Sequence, residues 1–187
     1  MQELKLFVEQ MRATSSSLDK VEILKQQSDF IKKVLEYTYN PYKQYYVTSK
    51  TCKKNFNIRN TFPDEDLFDL LDDLTNRNLT GHDAIAAVNS FTNANEEYED
   101  LIHSIIDKDL KTRTGAKVIN KAFPGLIPEF NVALAQNYEP KLASFGENVD
   151  ETWYASRKLD GVRCLAVVDV NGTCTLYSRM GKEFTTL

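Results

Sequence analysis

The chain has 187 residues and a formal net charge of −4, with 42% hydrophobic and 27% charged residues. This length suits one or two globular domains, and the mildly acidic balance excludes a protein whose overall charge alone would attract nucleic acid. The longest apolar runs are too short to span a bilayer, and the first residues include Glu3 and Lys5 in place of a signal-peptide core. We therefore expect a cytoplasmic protein with no membrane partner.

Apolar residues at helical spacing predict a first helix over residues 4–11, which the polar residues 14–17 interrupt. A second helix is predicted from a cap at Ser17 or Asp19 to the Asn40-Pro41 pair, because the residue before a proline avoids the helical conformation.

Residues 37–63 contain lysines among tyrosines and no acidic side chain. Basic residues among aromatics are typical of surfaces that bind phosphates and pack on sugars or bases. The alternative, with the tyrosines in a core and the lysines in solvent, is equally open at this point.

More helices are predicted downstream. The first begins at Pro63 with Asp64, Glu65 and Asp66 beside its positive end, and others begin at Thr80 and near Asn95. A short helix then begins at Thr114-Gly115, with Lys111, Arg113 and Lys117 around its first turn. Exposed amides and basic neighbours favour a phosphate-binding site there.

Helical periodicity ends near Phe130, and from Trp153 the pattern is typical of strands. We predict an all-α domain over residues 1–130, followed by residues 131–187 as a connector and the start of a β-rich α/β domain. The Asn171-Gly172 pair predicts a two-residue hairpin turn, whose register would put Cys164 and Cys174 on opposite faces as free thiols.

Lys158 lies in the run Ser156-Arg157-Lys158-Leu159-Asp160-Gly161-Val162-Arg163. A lysine beside cationic neighbours can be held as a neutral, nucleophilic amine, and Arg157 and Arg163 could also bind phosphate oxygens. Taken alone, the same residues are also typical of an ordinary exposed Lys-Asp-Gly turn and of a solvated arginine at the end of a hairpin.

The run from Lys158 to Arg163 fits the KxDGxR signature of covalent nucleotidyltransferases. The segment Ser178-Arg179-Met180-Gly181-Lys182-Glu183-Phe184 resembles a second motif of ATP-dependent DNA ligases, and residues 121–128 resemble the joint before the ligase catalytic domain. Residues 37–46 are similar to phage-type members. The chain is thus identified as resembling phage-type, ATP-dependent DNA ligases from end to end.

This resemblance implies a helical DNA-binding domain and a truncated nucleotidyltransferase (ATP-grasp-like) domain. It implies that Lys158 forms a lysyl-AMP from ATP, with magnesium screening the phosphates, before a nick in duplex DNA is sealed during replication, repair or recombination. It assigns nucleotide contacts to Ser156, Arg157, Arg163 and Arg179. It assigns DNA contacts to Asp160, Lys111, Arg113, Thr114, Gly115, Lys117, Arg179 and Lys182.

Because later ligase motifs are not found before Leu187, we expect a fragment that is inactive alone, monomeric, and resident in a host cytoplasm if viral. The alternative is a catalytically inert module that binds duplex DNA. The helical domain argues against RNA ligases and capping enzymes, and the nucleotide-specific region of NAD-dependent ligases is not recognisable.

Overall fold

The computed structural model describes residues 1–58, 66–130, 157 and 160–185. The chain divides into two compact units, Met1–Glu129 and Phe130–Leu187. Among the described residues, none of the helices has the length and apolar character of a membrane span. The helices are α1 (Gln2–Ala13), α2 (Ser17–Lys25), α3 (Asp29–Tyr39), α4 (Ser49–Lys54), α5 (Leu67–Thr75), α6 (Gly81–Ala94), α7 (Glu99–Ile106) and α8 (Ala116–Ala122). The predicted combination of a helical region with a small β region is confirmed.

The helices of the first unit bury apolar side chains in a shared core, although Leu6 of the predicted first helix is 51% exposed. In this unit α2 packs against α8, α4 against α6, and α3 against α7. The shared core takes large side chains from all along the unit, including Phe7, Met11, Leu24, Ile31, Leu35, Leu70, Leu71, Leu74, Ile102, Ile105 and Leu110.

The predicted single second helix is wrong, because two helices occupy that stretch. Ser28 lies between α2 and α3, and its hydroxyl accepts a hydrogen bond from the backbone N–H of Ile31. The cap of α2 is Ser16, not Ser17 or Asp19, since the Ser16 hydroxyl accepts from the N–H of Asp19. Serine satisfies a free amide at each start and so favours two short helices over one long helix.

Other predicted boundaries move for local reasons. The helix start predicted at Pro63, with Asp64 and Glu65, lies outside the described residues, and α5 begins after Asp66. The helix predicted from Asn95 begins as a 3₁₀ turn, Glu96–Tyr98, and α7 ends at Ile106. Lys108 then adopts a left-handed backbone with φ +60°, so the helix does not continue past this residue.

The tyrosines of the stretch 37–63 divide between the core and the surface among the described residues, and the binding of phosphates by this stretch stays a prediction. Tyr37 and Tyr45 are buried, and the Lys43 ammonium lies 3.7 Å from the centre of the Tyr37 ring. Tyr42 and Tyr46 are exposed, and the Arg77 guanidinium stacks 4.7 Å from the Tyr46 ring. The buried tyrosines therefore support the fold, and the exposed ones remain on the surface.

The Lys108 ammonium fastens the end of α3. Its Nζ donates to the carbonyl oxygens of Tyr37 (3.3 Å), Asn40 (2.7 Å) and Lys43 (2.6 Å). A cation is favourable at a helix C-terminus, where carbonyls lack intrahelical partners.

The second unit contains an antiparallel hairpin of β1 (Cys164–Val168) and β2 (Cys174–Ser178), in which Cys164 pairs with Ser178. The predicted two-residue turn is wrong. The N–H of Asp169 donates to the carbonyl of Thr173, and the N–H of Gly172 donates to the carbonyl of Asp169. The loop therefore spans three residues, 170–172, and only its last residue, Gly172 (φ +85°), is left-handed.

The longer loop also corrects the predicted placement of the cysteines. Cys174 pairs with Val168, which shares a strand face with Cys164, so both thiols lie on one face. They are still four strand positions apart, about 13 Å at the usual rise, which is too far for a disulfide. Both are free thiols, as predicted.

His103 makes the stability of the first unit depend on pH. Burial lowers the pKa of its imidazole, and Lys53 lowers it further. Because the unfolded chain takes up this proton more readily, the contribution of His103 is complete above the unfolded pKa and is lost as the pH falls below it. We expect the free energy of unfolding in urea to fall more between pH 7.5 and pH 5.5 for the wild type than for His103→Gln. The exposed His82 is the control, and an equal loss in His82→Gln and His103→Gln would contradict this expectation.

Candidate functional site

The hairpin register brings two separate sequence motifs to one cleft. Because Cys164 pairs with Ser178, Arg163 precedes one strand where Arg179 follows the other. Both arginines line a cleft of about 640 Å³ together with Asp160. The remaining lining comes from Gly161, Val162, Cys164, Ser178 and Met180.

A second tight loop holds Arg179 at the rim of this cleft. The N–H of Ser178 donates to the carbonyl of Lys182 (2.7 Å), and the N–H of Gly181 donates to the carbonyl of Ser178 (3.0 Å). The Ser178 hydroxyl accepts from the N–H of Lys182 at 3.0 Å. Gly181 has φ +78°, so the Arg-x-Gly sequence supplies the left-handed residue that a three-residue hairpin loop needs.

The predicted nucleophile lies outside the described residues. So does Ser156, whereas Arg157 and Asp160, on either side of Lys158 in the chain, are both exposed. Lys182 is also exposed, directly after the Arg179 loop. The described part of this site thus consists of two guanidinium groups and one carboxylate at the mouth of an open cleft.

The predicted phosphate-binding segment is an exposed basic loop of the first unit. Lys111, Arg113 and Gly115 face solvent, while Thr112 and Thr114 between them are buried. Lys111 and Arg113 both have left-handed backbones, with φ +55° and +53°. Side chains with a Cβ pay roughly 1 kcal/mol or more for this conformation, so surrounding contacts must hold it.

Two cations outside the predicted site residues hold this loop. The Lys20 side chain is only 4% exposed, and its Nζ donates to the carbonyl oxygens of Thr112 (2.7 Å) and Arg113 (3.4 Å). The Arg12 guanidinium donates to the carbonyl of Leu110 at 3.0 Å. Lys20 precedes Val21 by one position and Leu24 by four, so its place on the apolar face of α2 was a usable signal.

The chemistry open to these two regions is the binding of anions. Planar guanidinium forks match phosphate oxygens, and lysine ammonium groups attract them as point charges. Among the described residues, no three His, Cys, Asp or Glu side chains are grouped closely enough to hold a metal ion.

The chain is similar to two named phage proteins and to two solved structures. No protein-family model matches the chain. The chain is 30% identical over 184 residues to the DNA ligases of Enterobacteria phages T4 and T6, in alignments that take in 94% of the chain. Two solved structures, Pmar-Lig_PreS3 and Pmar-Lig_Pre., are 27% identical, cover 98% of the chain and give TM-scores of 0.69 and 0.68.

The chain spans 37% of the length of the curated phage relatives and 43% of each of the two structures. The predicted resemblance to phage-type DNA ligases is confirmed by these matches.

Substitution of Lys20 tests whether its hydrogen bonds stabilise the basic loop. We expect Lys20→Met to lower the free energy of unfolding by about 1–3 kcal/mol, because the carbonyls of Thr112 and Arg113 lose a charged donor. Lys25→Met, on the exposed face of the same helix, should change it by less than about 0.5 kcal/mol. Urea unfolding measures both, and amide hydrogen exchange should accelerate at Lys111 and Arg113 in the first variant only. Equal stability of the two variants would show that the loop does not depend on Lys20.

Proposed function

We propose that this chain, which resembles phage DNA ligases along nearly its whole length, is part of an ATP-dependent DNA ligase that seals nicks in duplex DNA through a lysyl-AMP intermediate. The observation that carries the proposal is the single cleft shared by Asp160, Arg163 and Arg179. Two motifs separated in the sequence meet there, and the first of them contains Lys158.

In this proposal Lys158 attacks the α-phosphate of ATP, forming a phosphoramidate bond as pyrophosphate leaves. The two arginines of the cleft act as cationic neighbours. Positive charge near a lysine favours its neutral, nucleophilic form, and the same charge binds the phosphate oxygens. In the same proposal Arg163 contacts the AMP ribose, and Ser156 and Arg157 supply the remaining nucleotide contacts.

Arg179 and Lys182 lie on one loop and are proposed to meet the 5′-phosphate of the nick, to which the AMP is passed. The neighbouring 3′-hydroxyl then attacks this activated phosphate and releases AMP, with Asp160 organising the reacting 3′ end. Asp160 is the one carboxylate among the described residues that line the cleft, so magnesium would arrive with the phosphates of ATP and screen their charge.

The basic loop of the helical unit is proposed to hold the duplex through its backbone. Lys111, Arg113 and Lys117 supply charge, and Thr114 and Gly115 lead into the first turn of α8. Such contacts position a protein on DNA without reading its sequence.

A duplex-binding module without adenylylation is the second candidate. It is favoured by the exposure of Val167 (51%) and Val168 (62%), which leaves the apolar surface of the hairpin open among the described residues. Duplex binding without transfer of label from ATP would select it.

The nucleophile can be tested in a chimaera in which this chain replaces the aligned segment of the phage T4 DNA ligase. We expect Lys158→Ala to reduce transfer of label from α-labelled ATP to the protein by at least about a thousandfold, because the group that forms the bond is gone. Lys182→Ala, with the same loss of charge nearby, should keep its label. Labelling of the Lys158→Ala chimaera would contradict the assignment, and labelling of residues 1–187 alone would contradict the expected inactivity of this chain.

The DNA contact can be tested on the chain itself. We expect Lys111→Glu combined with Lys117→Glu to weaken binding to a nicked duplex and to reduce the slope of log affinity against log salt by about 0.9 for each lost phosphate contact. Fluorescence anisotropy across a salt series measures both quantities. The control is Lys5→Glu, which reverses a charge that is paired with Glu97. An unchanged salt slope in the double variant would remove this loop from the DNA interface.

A further inference from the structure

A small polar cleft in the helical unit lies beside the basic loop and belongs to neither motif. It has a volume of about 270 Å³ and is enclosed by α4, α7 and the ends of α1 and the basic loop. Its charged lining consists of Arg12, Lys53, Asp100, Asp107 and Lys111.

His103 lines this cleft and is buried, with no hydrogen-bond partner in the described part of the chain. The residue is 4% exposed, and neither ring nitrogen has a hydrogen-bond partner among the residues that the structure describes. The nearest carboxylate, on Glu99, lies 3.6 Å from Nδ1. Buried polar groups are nearly always hydrogen-bonded, so a buried imidazole without a partner among the described residues, in a residue that lines a polar cleft, points to a ligand that supplies the missing partner.

The cations that line this cleft are arranged for an anion. One N–H of Arg12 is fixed on the carbonyl of Leu110 at 3.0 Å, which orients the rest of its planar fork. Lys111 stands on a left-handed backbone and is exposed. A second cleft of about 350 Å³ adjoins this one, and Lys53 and His103 line both clefts.

The two carboxylates of the cleft are already engaged. Asp107 accepts the backbone N–H of Ser49 at 2.8 Å and also accepts its hydroxyl. Asp100 lies 3.5 Å from the Lys53 ammonium in an exposed pair, which an incoming anion can break at little cost. The lining of this cleft therefore contains three cations and two acids, of which one is bound to serine, while the Glu99 carboxylate lines the adjoining cleft. This lining favours a negatively charged ligand.

We propose that this cleft binds a phosphate group between Arg12, Lys53 and Lys111, with the imidazole of His103 donating to one phosphate oxygen. In the duplex complex the group is a phosphate of the DNA backbone, adjacent to the contacts of the basic loop. The identification of the phosphate as part of DNA rests on the proposed function, whereas the binding of a phosphate group in the cleft does not.

Histidine resonances give a direct readout, since the chain contains only two histidines, His82 and His103. We expect the imidazole signals of His103 to shift on titration with nicked duplex, and those of exposed His82 to stay. Parallel titrations with inorganic phosphate, with AMP and with chloride at equal ionic strength separate a bound phosphate group from a general salt effect.

Lys53→Gln tests the cationic wall, and its neighbour on α4, Lys54→Gln, is the matched control because Lys54 does not line the cleft. We expect the first variant to bind duplex about three- to tenfold more weakly and to lower the salt slope by about 0.9, the value for one phosphate contact. The second should stay within twofold of the wild type.

The outcomes separate the cleft from the ligase proposal. A His103 shift with duplex that Lys53→Gln diminishes supports a backbone phosphate. A shift with inorganic phosphate or AMP, but not with duplex, supports a phosphate site with a free ligand. If duplex binds while His103 stays unmoved by duplex, phosphate and AMP, the cleft proposal is overturned and the proposed function stands.

Discussion

The buried ammonium of Lys20 is the contact on which the basic surface of the helical unit depends. It links α2 to the carbonyls of Thr112 and Arg113, and Arg12 does the same from α1 to Leu110. Without these donors a segment in which three of six residues, Lys108, Lys111 and Arg113, have left-handed backbones would lack the support that this conformation requires. The exposed side chains of Lys111 and Arg113 are thus positioned by Lys20 and Arg12. The Lys20 and Arg12 side chains bind the backbone carbonyl oxygens of the loop.

The second unit relies on register in place of burial. No residue of either strand is fully buried, yet the pairing of Cys164 with Ser178 fixes which side chains meet at the end of the hairpin. Two three-residue loops, closed by Gly172 and Gly181, maintain that pairing and its continuation. The cleft shared by Arg163 and Arg179 is a direct product of this register.

Patterns in the sequence predicted what depends on periodicity and on motifs. The apolar stripes of α1, α5 and α7, the stop at Asn40-Pro41 and the hairpin itself follow from local residue types, and the ligase resemblance followed from the ordered motifs. The sequence did not predict the division of the second helix at Ser28, because a serine can either continue a helix or cap the start of the next one. The neighbouring residue types do not distinguish these two cases. The loop around Asn171-Gly172 was misjudged because the Asp169 carboxylate accepts the N–H groups of Asn171 and Thr173, which favours a longer loop.

The contacts of Lys20 and Lys108 could not be predicted in the same way, because their acceptors are 92 and 65 to 71 positions away in the chain. Nor does any glycine or asparagine mark the left-handed positions of the basic loop. Only the packing of α2 against α8 and of α3 against α7 brings these donors and carbonyls together.

The paired three-residue loops impose a rule on how this region can diverge. Val170 is fully exposed and lies outside the paired positions, so its substitution should not change the strand pairing. A change of loop length that shifted the pairing by one residue would turn the following strand over, so that its side chains would face the opposite side of the sheet. Among homologues of this hairpin, loop composition should therefore vary more freely than loop length.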